Sequence, residues 1–307
     1  MQHAQAYAPK RASTHTYASV RGYNYLVRQW LPSSPNNRVP PLVMLHGFMD
    51  VSASFQFVVD ALNADRHVIA LDWRGFGLST PQAPNTYVDS YWFADYLGDL
   101  DALLDLVQPQ GKLDLLGHSM GGNIAMVYAG VRPTRIRKLI NLEGFGLPDT
   151  TPDQAPARYA KWLDQLKTPQ RLRNYASIEK VAERMQKNNA RLTTDKALWL
   201  AAFWAEEGTD GHWLLRSDAA HKRINPLLYR DEEIAACRRR ITAPTLWVAG
   251  AQSDLLNLWS GQSARAVWDA RLAAVPQLQS LTIENCGHMI HHDQADNLAL
   301  ALEQFLN

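Results

Sequence analysis

The sequence predicts an α/β protein: a mostly parallel sheet with helices on both faces and a helical insertion late in the chain. Three observations predict it. Short apolar runs without alternation end at His, Asp, Gly or Glu, as strands buried on both faces do. Stretches of helical spacing separate them, and strands alternating with helices form parallel sheets. The strand signal then stops near Asp149 and returns near Ile241.

The elements follow in order. Thr14–Ser19 and Gly22–Leu31 read as an antiparallel edge hairpin. Val39–Leu45 is an apolar run ending at His46-Gly47. Val51–Leu62 is a helix behind Asp50, a suitable N-cap. His67–Leu71 is a strand ending at Asp72. Trp92–Val107 carries Phe93, Leu97, Leu100, Leu103, Leu104 and Val107 on one helical face. Leu113–Leu116 is a strand ending at Gly117, and Met120–Val131 is a helix that stops before Pro133. Ile136–Leu142 is a strand ending at Glu143. Arg158–Leu166, Ile178–Asn188, Asp195–Glu207 and Glu232–Arg239 read as helices with no strand among them. Thr245–Ala249, Leu278–Ile283 and a closing helix over Ala295–Leu306 restore the first pattern. The expected organisation is therefore a core over 1–148, an insertion over 149–240 and the rest of the core over 241–307.

The 307 residues suffice for a large core. Apolar residues make up 46% and charged residues 20%, which excludes a disordered or fibrous chain. Lys+Arg 31 against Asp+Glu 30 leaves a net charge of +1, so no global field attracts nucleic acid or anionic lipid. The run Arg238-Arg239-Arg240 reads as a solvated helix end. Two cysteines, Cys237 and Cys286, make no disulfide framework. Met1–Thr16 is polar and lacks a signal-peptide core. A soluble cytoplasmic protein without stable membrane insertion, monomeric or homodimeric, is expected.

The most informative segment is Gly117-His118-Ser119-Met120-Gly121, a G-x-S-x-G between a buried strand and a helix. The chain must reverse sharply there, and Ser119 must take a strained backbone that pushes its hydroxyl outward. Glycines two residues before and after remove the clash. Phosphate-loop readings fail on particular residues: Ser119 stands where a dinucleotide fingerprint needs glycine, and Asn123 where a P-loop needs lysine.

A serine hydroxyl needs a base, and the base an orienting carboxylate. His288 leaves the last strand at the sheet edge where Ser119 sits. Asp254, after the strand Thr245–Ala249, is the expected acid; Glu143, ending Ile136–Leu142, is its competitor. Asp72 reads as a loop anchor. His291 and His292 flank His288 without a carboxylate or cysteine at zinc-motif spacing, so no metal is expected. Two N–H groups must hold the oxyanion. Met120, after the serine, supplies one. Phe48, in His46-Gly47-Phe48, supplies the other, with Gly47 letting the backbone approach.

These pieces together resemble the α/β-hydrolase superfamily: His46-Gly47-Phe48, Asp72-Trp73-Arg74-Gly75-Phe76-Gly77-Leu78-Ser79, Gly117-His118-Ser119-Met120-Gly121-Gly122, Asp254 and Gly287-His288. The likeness covers about 20–148 and 241–307 and is to the capped serine hydrolases and esterases, the serine hydrolase-like group included. It implies an eight-stranded sheet, a helical cap after the sixth strand, and Ser119, Asp254 and His288 as nucleophile, acid and base. One departure stands out. Gly250-Ala251-Gln252-Ser253-Asp254 is one residue longer than the usual Gly-x-x-Asp. Serine at 119 argues against the dehalogenases and epoxide hydrolases, which use Asp there.

The expected reaction is two-step acyl transfer on a small-molecule carboxylic ester, with no cofactor. Gly47, His118, Trp204 and Phe203 are expected beside the substrate. The same triad serves thioesterases, lactonases, acyltransferases and C–C hydrolases, and a slow-turnover small-molecule sensor is the alternative of another class. His221 is not tied to Ser119 by anything in the sequence.

Overall fold

The computed structural model describes residues 6–34, 38–83, 86–255 and 264–307; residues 1–5 of the polar N-terminal stretch lie outside these. The strands are Thr14–Val20 (β1), Tyr23–Trp30 (β2), Leu42–Leu45 (β3), Val68–Leu71 (β4), Thr80–Pro81 (β5), Leu113–His118 (β6), Ile136–Leu142 (β7), Asn174–Tyr175 (β8), Ala205–Glu207 (β9), Trp213–Leu215 (β10), Thr245–Gly250 (β11) and Leu278–Ile283 (β12). The helices are Gln56–Ala61 (α1), Phe93–Val107 (α2), Met120–Val131 (α3), Ala155–Leu166 (α4), Ile178–Asn188 (α5), Thr194–Trp204 (α6), Asp231–Arg238 (α7), Ala264–Ala273 (α8), Ile290–Asp293 (α9) and Ala295–Leu306 (α10).

The main sheet runs β1-β2-β4-β3-β6-β7-β11-β12, the eight strands the resemblance implies, with β5 added as a ninth against β2. β1 and β2 are the antiparallel edge hairpin. From β4 to β12 every neighbouring pair is parallel. The ends of β3, β6, β7, β11 and β12 therefore open on one edge, where the loops that carry chemistry gather.

Alternation within the strands divides the core between the faces. Leu42 and Met44 of β3 pack on one face with α1 and α10. Val43 and Leu45 pack on the other with α2 and α3. β3 and β4 are buried along their whole length, which is why they read as unbroken apolar runs; β6 is equally buried and carries Asp114, paired with Arg66 and Arg137. Each fully buried Leu or Ile contributes about 1.5–3 kcal/mol.

The segment between β7 and β11 holds α4 to α7, close to the expected helices. It also holds a three-stranded antiparallel sheet, β8-β10-β9, where none was expected. Strands of two or three residues are too short to show alternation. α5 and α6 bury Val181, Met185, Ala197 and Leu200 in the same core as α1, so the insertion is packed onto the sheet layer. The helix expected from Val51 begins instead as a 3₁₀ turn over Ser52–Phe55, and Asp50 does not cap it. Among the described residues no helix is long and apolar enough to cross a membrane.

Candidate active site

β6 delivers the chain into α3 through Ser119, whose φ of 52° and ψ of −114° lie where a non-glycine residue is strained by about 1–3 kcal/mol. Two backbone bonds hold it: the Ser119 N–H donates to the Leu142 carbonyl at 2.8 Å, and Asn123 N–H to the Ser119 carbonyl at 3.0 Å. A Cβ on Gly117 would fall on the Gly121 carbonyl, and one on Gly121 on the Leu45 carbonyl. Both contacts are with backbone, so neither can give way cheaply.

The loop after β3 lies against this turn. A Cβ on Gly47 would stand 3.2 Å from Ser119 Cβ and 2.8 Å from His118 Nδ1. Phe48 N–H follows, and Met120 N–H opens α3. Neither donates to an acceptor among the described residues. Met120 N–H stands in the partial positive field of a helix start.

His288 arrives from β12 through Asn285, at φ 56°, Cys286 and Gly287. Its Nδ1 lies 2.7 Å from Glu143 Oε2. A carboxylate only accepts, so Nδ1 carries the proton and Nε2 is left with a lone pair. The ring is partly exposed while the Glu143 side chain is wholly buried. Among the described residues the Ser119 hydroxyl makes no hydrogen bond; such contacts commonly close only around substrate.

The carboxylate on His288 corrects the sequence reading, which placed Asp254 there. Asp254 is exposed. The loop after β11 explains why. Ala251 N–H bonds the Ile283 carbonyl, Gln252 N–H the Cys286 carbonyl and Ser253 N–H the Gly250 carbonyl, which folds the loop onto the His288 segment and turns Asp254 outward. Ser253 stands inward instead. Its hydroxyl donates to Glu143 Oε2 at 2.7 Å, and Gly250 N–H donates to Oε1 at 2.7 Å. Sequence reasoning missed both donors. The signal was present: in Gly-x-x-Asp counting from Gly250, the acid's place is taken by Ser253.

Other expected residues are placed differently too. His118 is buried beneath the site and does not face it. Its Nε2 donates to the His288 carbonyl at 2.9 Å, and its ring lies 4.7 Å from that of His288. Burial, and then the neighbouring His291 and His288, push His118 well below the usual histidine range, so it is neutral. Trp204 donates its indole N–H to Asp50 at 3.2 Å. Phe203 packs on Trp199 and carries the Arg28 guanidinium 4.8 Å from its centre. Both aromatics are partly exposed. His221 is stacked between Phe76 and Tyr91, and burial pushes it down to about 3. Asp72 is the loop anchor expected, accepting from Ser52 N–H at 2.7 Å and Leu78 N–H at 2.9 Å.

A family model described as the alpha/beta hydrolase fold matches residues 40–295. A serine hydrolase-like protein of Danio rerio is 28% identical over 51% of this chain and 48% of its own length, so the match spans about half of that relative. Esterase YbfF of Escherichia coli is 26% identical over 87% of this chain and 93% of its own. Among solved structures, a thioesterase domain from a curacin biosynthetic pathway superposes with a TM-score of 0.81 at 22% identity, covering 95% of this chain and 99% of that one, a likeness of fold alone.

Proposed function

This chain belongs to the alpha/beta hydrolase fold family, and we propose that it hydrolyses carboxylic esters through Ser119, His288 and Glu143. The observation that carries the reading is the 2.7 Å bond from His288 Nδ1 to a fully buried carboxylate. It fixes the tautomer that leaves Nε2 as a base, on the same sheet edge as a serine in the strained elbow. The similarity to Esterase YbfF along most of both chains supports esters as the substrate class.

His288 Nε2 takes the Ser119 proton as the oxygen attacks the ester carbonyl. Negative charge then grows on the carbonyl oxygen, where the Phe48 and Met120 N–H groups receive it; losing one such donor typically costs about 2.7–4 kcal/mol of barrier. Glu143 stabilises the imidazolium without taking its proton. His288 next protonates the departing alcohol. Water, deprotonated by the same histidine, attacks the acyl-Ser119 ester, and collapse returns the free serine and the acid. The segment 149–240 acts as a cap over this edge, and two free thiols fit a cytoplasmic location.

Ser119→Ala tests the reading. Turnover of p-nitrophenyl acetate should fall by about 10⁶-fold, the loss expected when a triad nucleophile is removed. Labelling by a fluorophosphonate probe should vanish with it, while the circular dichroism and melting curve stay those of wild type. Ester turnover within tenfold of wild type in this variant would remove Ser119 from the chemistry.

A further inference from the structure

A second cluster lies behind His118, and the ester reaction does not use it. Asp50 comes from the loop after β3; His291 and His292 come from α9. All three are buried, His291 completely. Asp50 Oδ1 is crowded: it accepts from Val51 N–H at 2.9 Å, from the Ser54 hydroxyl and from the Trp204 indole at 3.2 Å. Asp50 Oδ2 accepts no hydrogen bond and stands 3.5 Å from His291 Nε2. Both ring nitrogens of His291 and both of His292 also lack a hydrogen-bond partner.

Of these five buried atoms, Asp50 Oδ2 and His291 Nε2 meet as an ion pair at 3.5 Å, while His291 Nδ1 and both nitrogens of His292 have no hydrogen-bond partner among the described residues, and the set asks for an occupant. Each unpaired polar group in an interior is costly, and native structures keep few. The chemistry of the set narrows the choice. Two imidazoles and a carboxylate suit a divalent transition ion of the zinc, cobalt or nickel kind; calcium and magnesium prefer oxygen alone. Distances agree. One ligand atom from each residue falls within 4.8 Å of the others. A tetrahedral ion with bonds of about 2.0–2.1 Å separates its ligands by about 3.4 Å. The Asp50–His291 edge is already that long, and small side-chain rotations draw in the rest.

We propose that Asp50 Oδ2, His291 and His292 form a buried site for a divalent transition-metal ion, one imidazole away from the catalytic centre. His118 is that intervening imidazole. Its ring lies 4.4 Å from His291 and 4.7 Å from His288. A positive charge is close: Lys196 Nζ donates to the His292 carbonyl at 3.3 Å and sits over the Phe57 ring. It opposes a dication, and the Asp50 charge offsets it. Sequence spacing hid the site because its carboxylate lies in a different loop from its histidines.

The test uses the whole chain, stripped with chelator and titrated with Co²⁺ and then Zn²⁺. The expected result is one equivalent of Co²⁺ per chain, with the intense visible bands of low-coordinate cobalt, displaced by Zn²⁺, and a raised melting temperature. His292→Ala should abolish the bands and the shift. His292→Gln serves as the second variant if the alanine chain melts early, and it should lose the site as well. His212→Ala, which removes an exposed histidine beside Asp210, should leave binding intact. Absence of stoichiometric binding to the folded wild type overturns the proposal, and so does binding that survives in both His292 variants. This readout needs no turnover, so it stands or falls separately from the ester-hydrolase reading on which the word catalytic rests.

Discussion

The ends of β7 and β11 lie side by side in the sheet, and a carboxylate follows each within four residues. Glu143 follows β7 at φ 54°, with its N–H on the Val248 carbonyl of β11. Asp254 follows β11 four residues past its end. Only Glu143 meets His288. His288 enters from β12 and crosses the ends of β11 and β7 to reach Ser119 at the end of β6, so both carboxylates rise from strands under that path. The loops separate them: backbone bonds from Ala251, Gln252 and Ser253 fold the β11 loop so that Asp254 is exposed. The loop from β11 contributes in another way: Gly250 and Ser253 hold the Glu143 oxygens while Asp254 points to solvent. Two neighbouring loops thus share one function, one supplying charge and the other supplying donors. What separates the two carboxylates is how the loop after β11 folds, and chain order does not report it.

The largest expected effect comes from the residue that won. Glu143→Gln keeps the shape but offers an amide to His288, which can favour the wrong tautomer. A fall in kcat of about 10³–10⁴-fold is expected on p-nitrophenyl esters, with KM changed little. A drop of less than tenfold in a chain that melts like wild type would return the acid role to Asp254.

Much of this was legible from residues close together in sequence. Ser119 was readable because the elbow's demands are local: a strand, two glycines against backbone and a helix start, all within a few residues. His288 was readable because it directly follows the last strand. Phe48 and Met120 could be named as donors because each is one residue from a recognisable turn, and neither N–H donates to an acceptor among the described residues. The choice of Glu143 over Asp254 was not readable, because it depends on how the loop after β11 folds onto the segment of His288. The meeting of Asp50 with His291 and His292 was invisible because the loop after β3 and α9 lie far apart in the sequence. Trp204 and Phe203 were expected beside the substrate on bulk, and their contacts with Asp50, Trp199 and Arg28 were not legible in the sequence. The three-stranded sheet of the insertion escaped because its strands are too short to carry a period.

Ser253→Ala gives the middle effect and asks whether the β11 loop contributes at all. It removes one hydroxyl donor from a buried carboxylate, and hydrogen bonds to charged groups are worth about 1.5–3 kcal/mol. Some of that is recovered by relaxation, so kcat is expected to fall about tenfold with KM unchanged. Ser253→Thr, which restores a hydroxyl, should recover most of the loss. A change in KM alone, or no rescue by threonine, would mean that the serine shapes the loop and does not position Glu143.

The smallest effect should be at Asp254, and it makes the sharpest comparison. Its side chain is exposed, and the loop that carries it is pinned by backbone bonds from Ala251, Gln252 and Ser253 that an Asp254→Asn change leaves in place. An exposed charge near other groups is screened by water, so its loss should alter kcat on p-nitrophenyl acetate by no more than about twofold. Combining it with Glu143→Gln adds a second check. If Asp254 is outside the chemistry, the double variant should lose no more than about twofold beyond Glu143→Gln alone, since independent sites add. If Asp254 swings inward as a substitute acid when Glu143 is neutralised, the double variant should fall well below the single one. The two strand ends would then be alternative sources of one charge, and the structure would describe only the preferred one.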